Sequence, residues 1–180
     1  MRPFAISVVG RDRPGIVAAL AESLLAHHAN IEDSRMTILR GHLAMTLVVA
    51  LPEEADPRAL GGDLEEVRAG LELESLTLAP VAEVEPGPGS TPSHVVSVYG
   101  ADHPGIVHAV SAALAERGWN ITDLATRLVG DDGPDPLYTM ILEVAVPGDA
   151  PAEEVDRTLE PVARAEGVEI TSRPLERDAL

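Results

Sequence analysis

The stretch VVGRDRPGIV, Val8 to Val17, returns ninety residues later as VYGADHPGIV, Val98 to Val107. The same offset places Gly10 on Gly100, Asp12 on Asp102, Pro14-Gly15-Ile16-Val17 on Pro104-Gly105-Ile106-Val107, and Asn30-Ile31 on Asn120-Ile121. Beyond the second copy's insertion around GDDGPDP, an offset of 95 aligns LAMTLVVALP with YTMILEVAVP. Matches at a fixed offset over this many residue types mark a duplicated structural unit. Each copy is near the lower size at which one apolar core suffices, so the two are expected to share buried surface.

Element order is the same in both copies. FAISVVG alternates and is rich in β-branched residues, which predicts a strand. GIVAALAESLLAHH carries apolar residues at helical spacing, with Pro14 suited to a first turn. IEDSRMTILR and LAMTLVVAL predict two strands about a turn at Gly41. DPRALGGDLEEVRAGL predicts a second helix opened by Asp-Pro, and LELESLTLAPV a closing strand. The order β-α-β-β-α-β is the ferredoxin-like arrangement: an α+β fold of antiparallel sheets with helices on one face. Pro161, inside AEEVDRTLEPVARAE, is expected to kink or break the last helix. The expected boundaries are a first domain over 1–82, a Pro/Gly/Ser-rich linker over 83–93, a second domain over 94–175 and a tail over 176–180.

Composition narrows the function. Apolar residues make up 45% of the chain and aromatic ones only 2%, so the core has to be aliphatic. With no Cys, thiolate chemistry and disulfides are excluded. Net charge is −17, with 14 acids against 7 Arg through Gly89 and 16 against 6 from Ser90. Neither copy offers the basic face that a phosphate backbone requires, so direct nucleic-acid binding is not expected. No apolar run reaches the roughly 20 residues of a membrane span, and the N-terminus reads as a strand rather than a leader. A cytoplasmic, membrane-free protein is expected.

The repeated strand–GxDxPG–helix turn is the candidate site. A glycine permits positive φ or close approach to the main chain. The free N–H groups at a helix start suit a carboxylate, and a neighbouring acid suits an ammonium. An Asn after the helix offers both donor and acceptor. Gly10, Asp12 and Asn30, with Gly100, Asp102 and Asn120, are therefore a plausible cradle for an α-amino acid. Asp12 as an ordinary helix cap and Asn30 in a left-handed helix-ending position are the simpler alternatives on residue chemistry alone.

GRDRPGIVAALAESLLAHHANIEDSRMTILRGHLAMTLVV closely resembles an ACT domain, the small βαββαβ module that commonly binds amino acids. GADHPGIVHAVSAALAERGWNITDLATRL matches the same pattern. NIEDSRM, within two such domains and nothing else, resembles the glycine cleavage system transcriptional repressor group, whose members carry no catalytic domain. The resemblance implies ligand contacts at Gly10, Asp12, Gly15, Ile16 and Asn30, and at Gly100, Asp102, Gly105, Ile106 and Asn120. Several members carry Asn where this chain has Asp12 and Asp102. It further implies that the units pair side by side within the chain with ligands at the seam, and that a homodimer of chains can form. The expected ligand is a small amino acid, with glycine the first candidate, and the expected partner is a protein such as a transcription factor. A regulatory subunit of an amino-acid enzyme and an adaptor without ligand are the rivals. Formyltetrahydrofolate deformylases join such units to catalytic domains, and no catalytic domain is expected after the second copy here.

No catalytic, metal or cofactor site is expected. His27 and His28 are adjacent and point about 100° apart on a helix, unlike a chelating i, i+4 pair. His103 and His108 are five apart, and Asp131, Asp132 and Asp135 lack the spacing of a calcium loop. His103, aligned with Arg13, reads as a solvated side chain at a helix entrance. Arg35 and Arg127 read as surface ion-pair formers. Ser23, Ser34, Ser97 and Ser111 have no nucleophile elbow around them.

Overall fold

The computed structural model describes residues 1–82, 90–129, 137–148 and 151–175. The chain divides into two units, Met1–Val84 and Glu85–Leu180. The first holds β1 (Arg2–Arg11), α1 (Ile16–Ala26), β2 (Asn30–Leu39), β3 (His42–Leu51), α2 (Pro57–Gly70) and β4 (Ser75–Pro80). The second holds β5 (His94–Ala101), α3 (Ile106–Glu116), β6 (Asn120–Val129), β7 (Leu137–Ala145), α4 (Ala152–Glu166) and β8 (Glu169–Pro174). Both are βαββαβ, with sheet orders β2-β3-β1-β4 and β6-β7-β5-β8 and every adjacent pair antiparallel.

Strand alternation decides which face is covered. Ile6 and Val8 on β1, and Leu43, Leu47 and Val49 on β3, point toward Ile16, Leu20 and Leu24 of α1 and Leu60 and Leu64 of α2. Their counterparts in the second unit are Val96, Val98, Met140, Leu142 and Val144 against Ile106, Val110, Leu114, Val155 and Leu159. Each such side chain removed from water contributes about 1.5–3 kcal/mol. A core this poor in aromatic rings therefore depends on many aliphatic contacts rather than a few large ones.

Local chemistry sets the ends. Arg40 and Gly41 both take positive φ, 50° and 83°, as a tight two-residue hairpin requires. Asp56 caps α2, its carboxylate accepting the Arg58 N–H at 2.9 Å, with Pro57 in the first turn. Pro161 does not break α4, which runs unbroken for 15 residues. Val155 and Leu159 before the proline and Val162 after it pack on one core, and Pro161 faces solvent together with Arg157, four residues earlier. Among the described residues, no helix is long and apolar enough to cross a membrane.

Candidate ligand-binding site

β1 ends at Arg11, and the turn residue Asp12 donates its N–H to the Gly41 carbonyl at 2.9 Å, tying the turn to the β2–β3 hairpin. Pro14 lies ahead of the helix rather than inside it. Gly15 is the N-cap, at φ 99° and ψ −17°, and no side chain caps α1. The first main-chain bond of the helix runs from Ala19 N–H to Gly15 O, so the N–H groups before Ala19 take no capping side chain. The second unit repeats this with Gly105 at φ 118°, again with no side-chain cap. The helix-cap alternative for Asp12 is thereby removed: the carboxylate is exposed and leaves the helix mouth uncapped.

Gly10 and Gly100 are not in the left-handed region. They are extended strand residues, and their lack of a side chain admits the protein itself. A Cβ on Gly10 would fall 2.7 Å from Leu73 Cδ2, and one on Gly100 would fall 2.6 Å from Val168 Cγ1. The close approach expected at these glycines is thus made by a residue just ahead of the closing strand, Leu73 or Val168. Ile16 and Ile106 are 1% exposed, so only their main chain can face a ligand.

Asn30 opens β2 and is exposed; the left-handed position after α1 is taken by His28, at φ 53°, and after α3 by Gly118. Register places Asn30 far from the turn. It pairs with Ala50, which pairs with Pro3, while Gly10 lies seven positions further along β1. At the strand rise this is roughly 23 Å. Asn120 likewise pairs with Ala145, seven positions from Tyr138, the partner of Gly100. Within one unit, the structure brings Gly10, Asp12, Gly15 and Ile16 to one end of the sheet and leaves Asn30 at the other.

The two mouths differ in what fills them. Around Gly15 a Cβ would meet nothing within 4 Å, whereas at Gly105 it would lie 3.5 Å from Glu166 Oε2. Glu166 also reaches His103, its carboxylate 3.7 Å from Nδ1 and its carbonyl 2.8 Å from Nε2. His103 is therefore tied down rather than freely solvated. Hydrogen bonds to the Glu166 and Pro104 carbonyls, then the charges of Glu166 and Asp102, raise its pKa above 6.5. Burial first, then the Asp102 charge, pushes the Tyr138 hydroxyl up. In the first unit Arg13 reaches away to Glu72, at 3.5 Å. Glu72 and Glu166 carry no local signal of these contacts: Glu72 lies in the turn after α2 and Glu166 is the last residue of α4, and only the fold brings them to Arg13 and to the α3 mouth.

Among the described residues no cluster of His, Asp or Glu could hold a metal ion. His27 instead pairs with Asp63 at 2.7 Å and His42 with Glu74 at 3.7 Å. Arg35 has an interaction partner of its own. Asp131, Asp132 and Asp135 lie outside the described residues.

ACT domain models match residues 2–75 and 94–160. The chain belongs to the ACT domain family. Its two ACT units stand in tandem, and a stretch of the chain about one unit long is similar to short relatives. A UPF0237 protein of Methanopyrus kandleri is 48% identical over 74 residues, which cover 41% of this chain and 80% of the relative. A phosphoserine phosphatase of Streptomyces coelicolor is 32% identical over 124 residues, 64% of this chain but only 28% of the enzyme. Among solved structures, one described as an unknown protein from Galdieria sulphuraria superposes with a TM-score of 0.78 at 32% identity, covering 97% of this chain and 98% of that one. A structure named as a candidate glycine cleavage system transcriptional repressor superposes with a TM-score of 0.71 at 15% identity, covering 97% of both chains. At that identity the tandem fold is what the likeness carries.

Proposed function

We propose that this ACT protein is a non-catalytic, cytoplasmic regulator that binds a small amino acid, glycine first among candidates, and signals occupancy to a protein partner. The observation that carries this reading is the mouth of α1. It starts at a left-handed Gly15 with no capping side chain and open space beside it, next to the exposed carboxylate of Asp12. Unpaired helix N–H groups attract a carboxylate, and Asp12 supplies the charge that an ammonium needs. The glycine cleavage connection is supported by the likeness of fold to the repressor-named structure, and in this reading the partner acts in transcriptional control of glycine and one-carbon metabolism.

The second unit serves differently in this reading. Its own Glu166 carboxylate stands beside the α3 mouth, where a ligand carboxylate would otherwise sit, so Gly100, Asp102, Gly105 and Ile106 bind weakly or only after Glu166 moves. Asn30 and Asn120 take part only where another copy of the unit presents them to a mouth, because their own is out of reach. Regulation requires that the ligand favour one arrangement of the protein over another.

Calorimetric titration with glycine, serine, alanine and the remaining amino acids tests this. Binding of one small amino acid, lost in Asp12→Ala and kept in Asp102→Ala, is the expected result. Silence toward all twenty at about 1 mM, a concentration matched to weak metabolite sites, would leave an adaptor without ligand.

A further inference from the structure

Apart from the helix mouths, the first unit carries a groove between α2 and β4. Its volume is about 370 Å³, within the range of small-molecule sites. Phe4, Gly61, Leu64, Leu76 and Leu78 give it an apolar floor and walls, with Arg58 and Glu65 at the rim. The duplication shows what closes the same place elsewhere. Leu78 and Ser172 occupy the same position, facing Ile6 and Val96, and Gly61 corresponds to Asp156 one turn into the helix. In the second unit Asp156 Oδ1 accepts the Ser172 N–H at 2.8 Å, and Ser172 Oγ donates to the Ala152 carbonyl at 2.9 Å. In the first unit Gly61 has no side chain to give, and Leu78 has no hydroxyl.

The β4 edge thus keeps an outward main-chain amide. Val81 N–H bonds Pro3 O on β1, so by strand alternation the Leu78 N–H points away from β1, out of the sheet's β4 edge. Charge is just as one-sided. Glu65 is neutralised by Arg68, which bonds both its oxygens at 2.6–2.9 Å. The Asp56 carboxylate is turned to the Arg58 main chain. Among the described residues no acid pairs with the Arg58 guanidinium, in a chain whose net charge is −17.

We propose that this groove binds a small organic anion: a carboxylate with a short apolar tail. The tail lies over Phe4, Leu64 and Leu76, and the carboxylate meets Arg58 and the Leu78 N–H. The proposal stands independently of the amino-acid site, since the groove belongs to α2 and β4 rather than the α1 mouth.

The test uses octanoate and its uncharged amide, octanamide, with amide NMR of the full-length protein at about 1 mM probe. Octanoate is expected to shift the Gly61, Leu76 and Leu78 amides and to bind about three- to fivefold more weakly to Arg58→Gln, the scale of a solvent-exposed charge pair. Gly61→Asp is expected to abolish binding, because it installs the second unit's closure and pairs with Arg58. A Cβ there meets only Leu78 Cδ2, at 4.0 Å, so the variant folds. Octanamide should bind more weakly by the same factor as the Arg58→Gln loss. No shift at these amides, shifts confined to Gly15 and Ile16, equal binding of the amide, or undiminished binding to Gly61→Asp would each overturn the proposal.

Discussion

Leu73 closes over Gly10: a Cβ on the glycine would fall 2.7 Å from Leu73 Cδ2 and 3.3 Å from Leu73 Cα. The second of these is main chain and cannot swing aside. Val168 stands over Gly100 in the same way, with its Cα 3.2 Å from the added atom. The first glycine of the repeated turn is therefore a packing residue, and the second, Gly15 or Gly105, carries the backbone requirement.

Gly10→Ala is expected to destabilise the first unit by about 1–3 kcal/mol through overpacking. For a domain of this size that lowers its thermal midpoint by about 4–8 °C per kcal/mol. Calorimetric melting measures it. A glycine needed only for ligand approach would leave the midpoint unchanged and weaken binding instead.

Asp12 and Asp56 should respond oppositely. Asp56→Ala removes the α2 cap and costs about 1 kcal/mol. Asp12→Ala removes no cap, so stability stays within about 0.5 kcal/mol of the parent while amino-acid affinity falls. Urea denaturation of the two variants, beside a binding titration, separates them.

His103 supplies a pH dependence. Only the imidazolium can donate from both ring nitrogens, to Glu166 O at 2.8 Å and Pro104 O at 3.2 Å, so the charged form is favoured in the folded state. Its folded pKa therefore lies above 6.5, the ordinary value. The stability this contact provides is fully present below that ordinary value and is lost as pH rises through the folded pKa. Imidazole NMR titration checks the pKa, and denaturation of the second unit on either side of it checks the loss.

Pro161→Ala should stabilise the second unit, by about 1–3 kcal/mol. It restores a donor to the Arg157 carbonyl and removes a ring clash in an otherwise unbroken helix. The readout is the second unit's denaturation midpoint, and a lower midpoint would show that the proline's rigidity outweighs its lost hydrogen bond.

The duplication, the βαββαβ order and the placing of the turn ahead of the first helix were all legible in the sequence, because strand alternation, helical spacing and the Asp-Pro start are local properties. The helix at Asp56-Pro57 survived Gly61-Gly62 since Leu60 and Leu64 are driven into the core whatever lies between them. Pro161 shows the limit of the same local rules: where propensity alone predicted a kink or a break, core contacts on both sides keep the helix continuous.

Residue order determined two like units, an aliphatic core and a paired set of glycine turns. Only the tertiary structure decided what each turn faces. Strand register set Asn30 some seven residues from Gly10, and chain return after the second helix put Leu73 over Gly10 and Glu166 beside Gly105. Near-identical motifs thus acquired an open mouth in one unit and a guarded one in the other, since the neighbours that distinguish them lie more than fifty residues away in the chain.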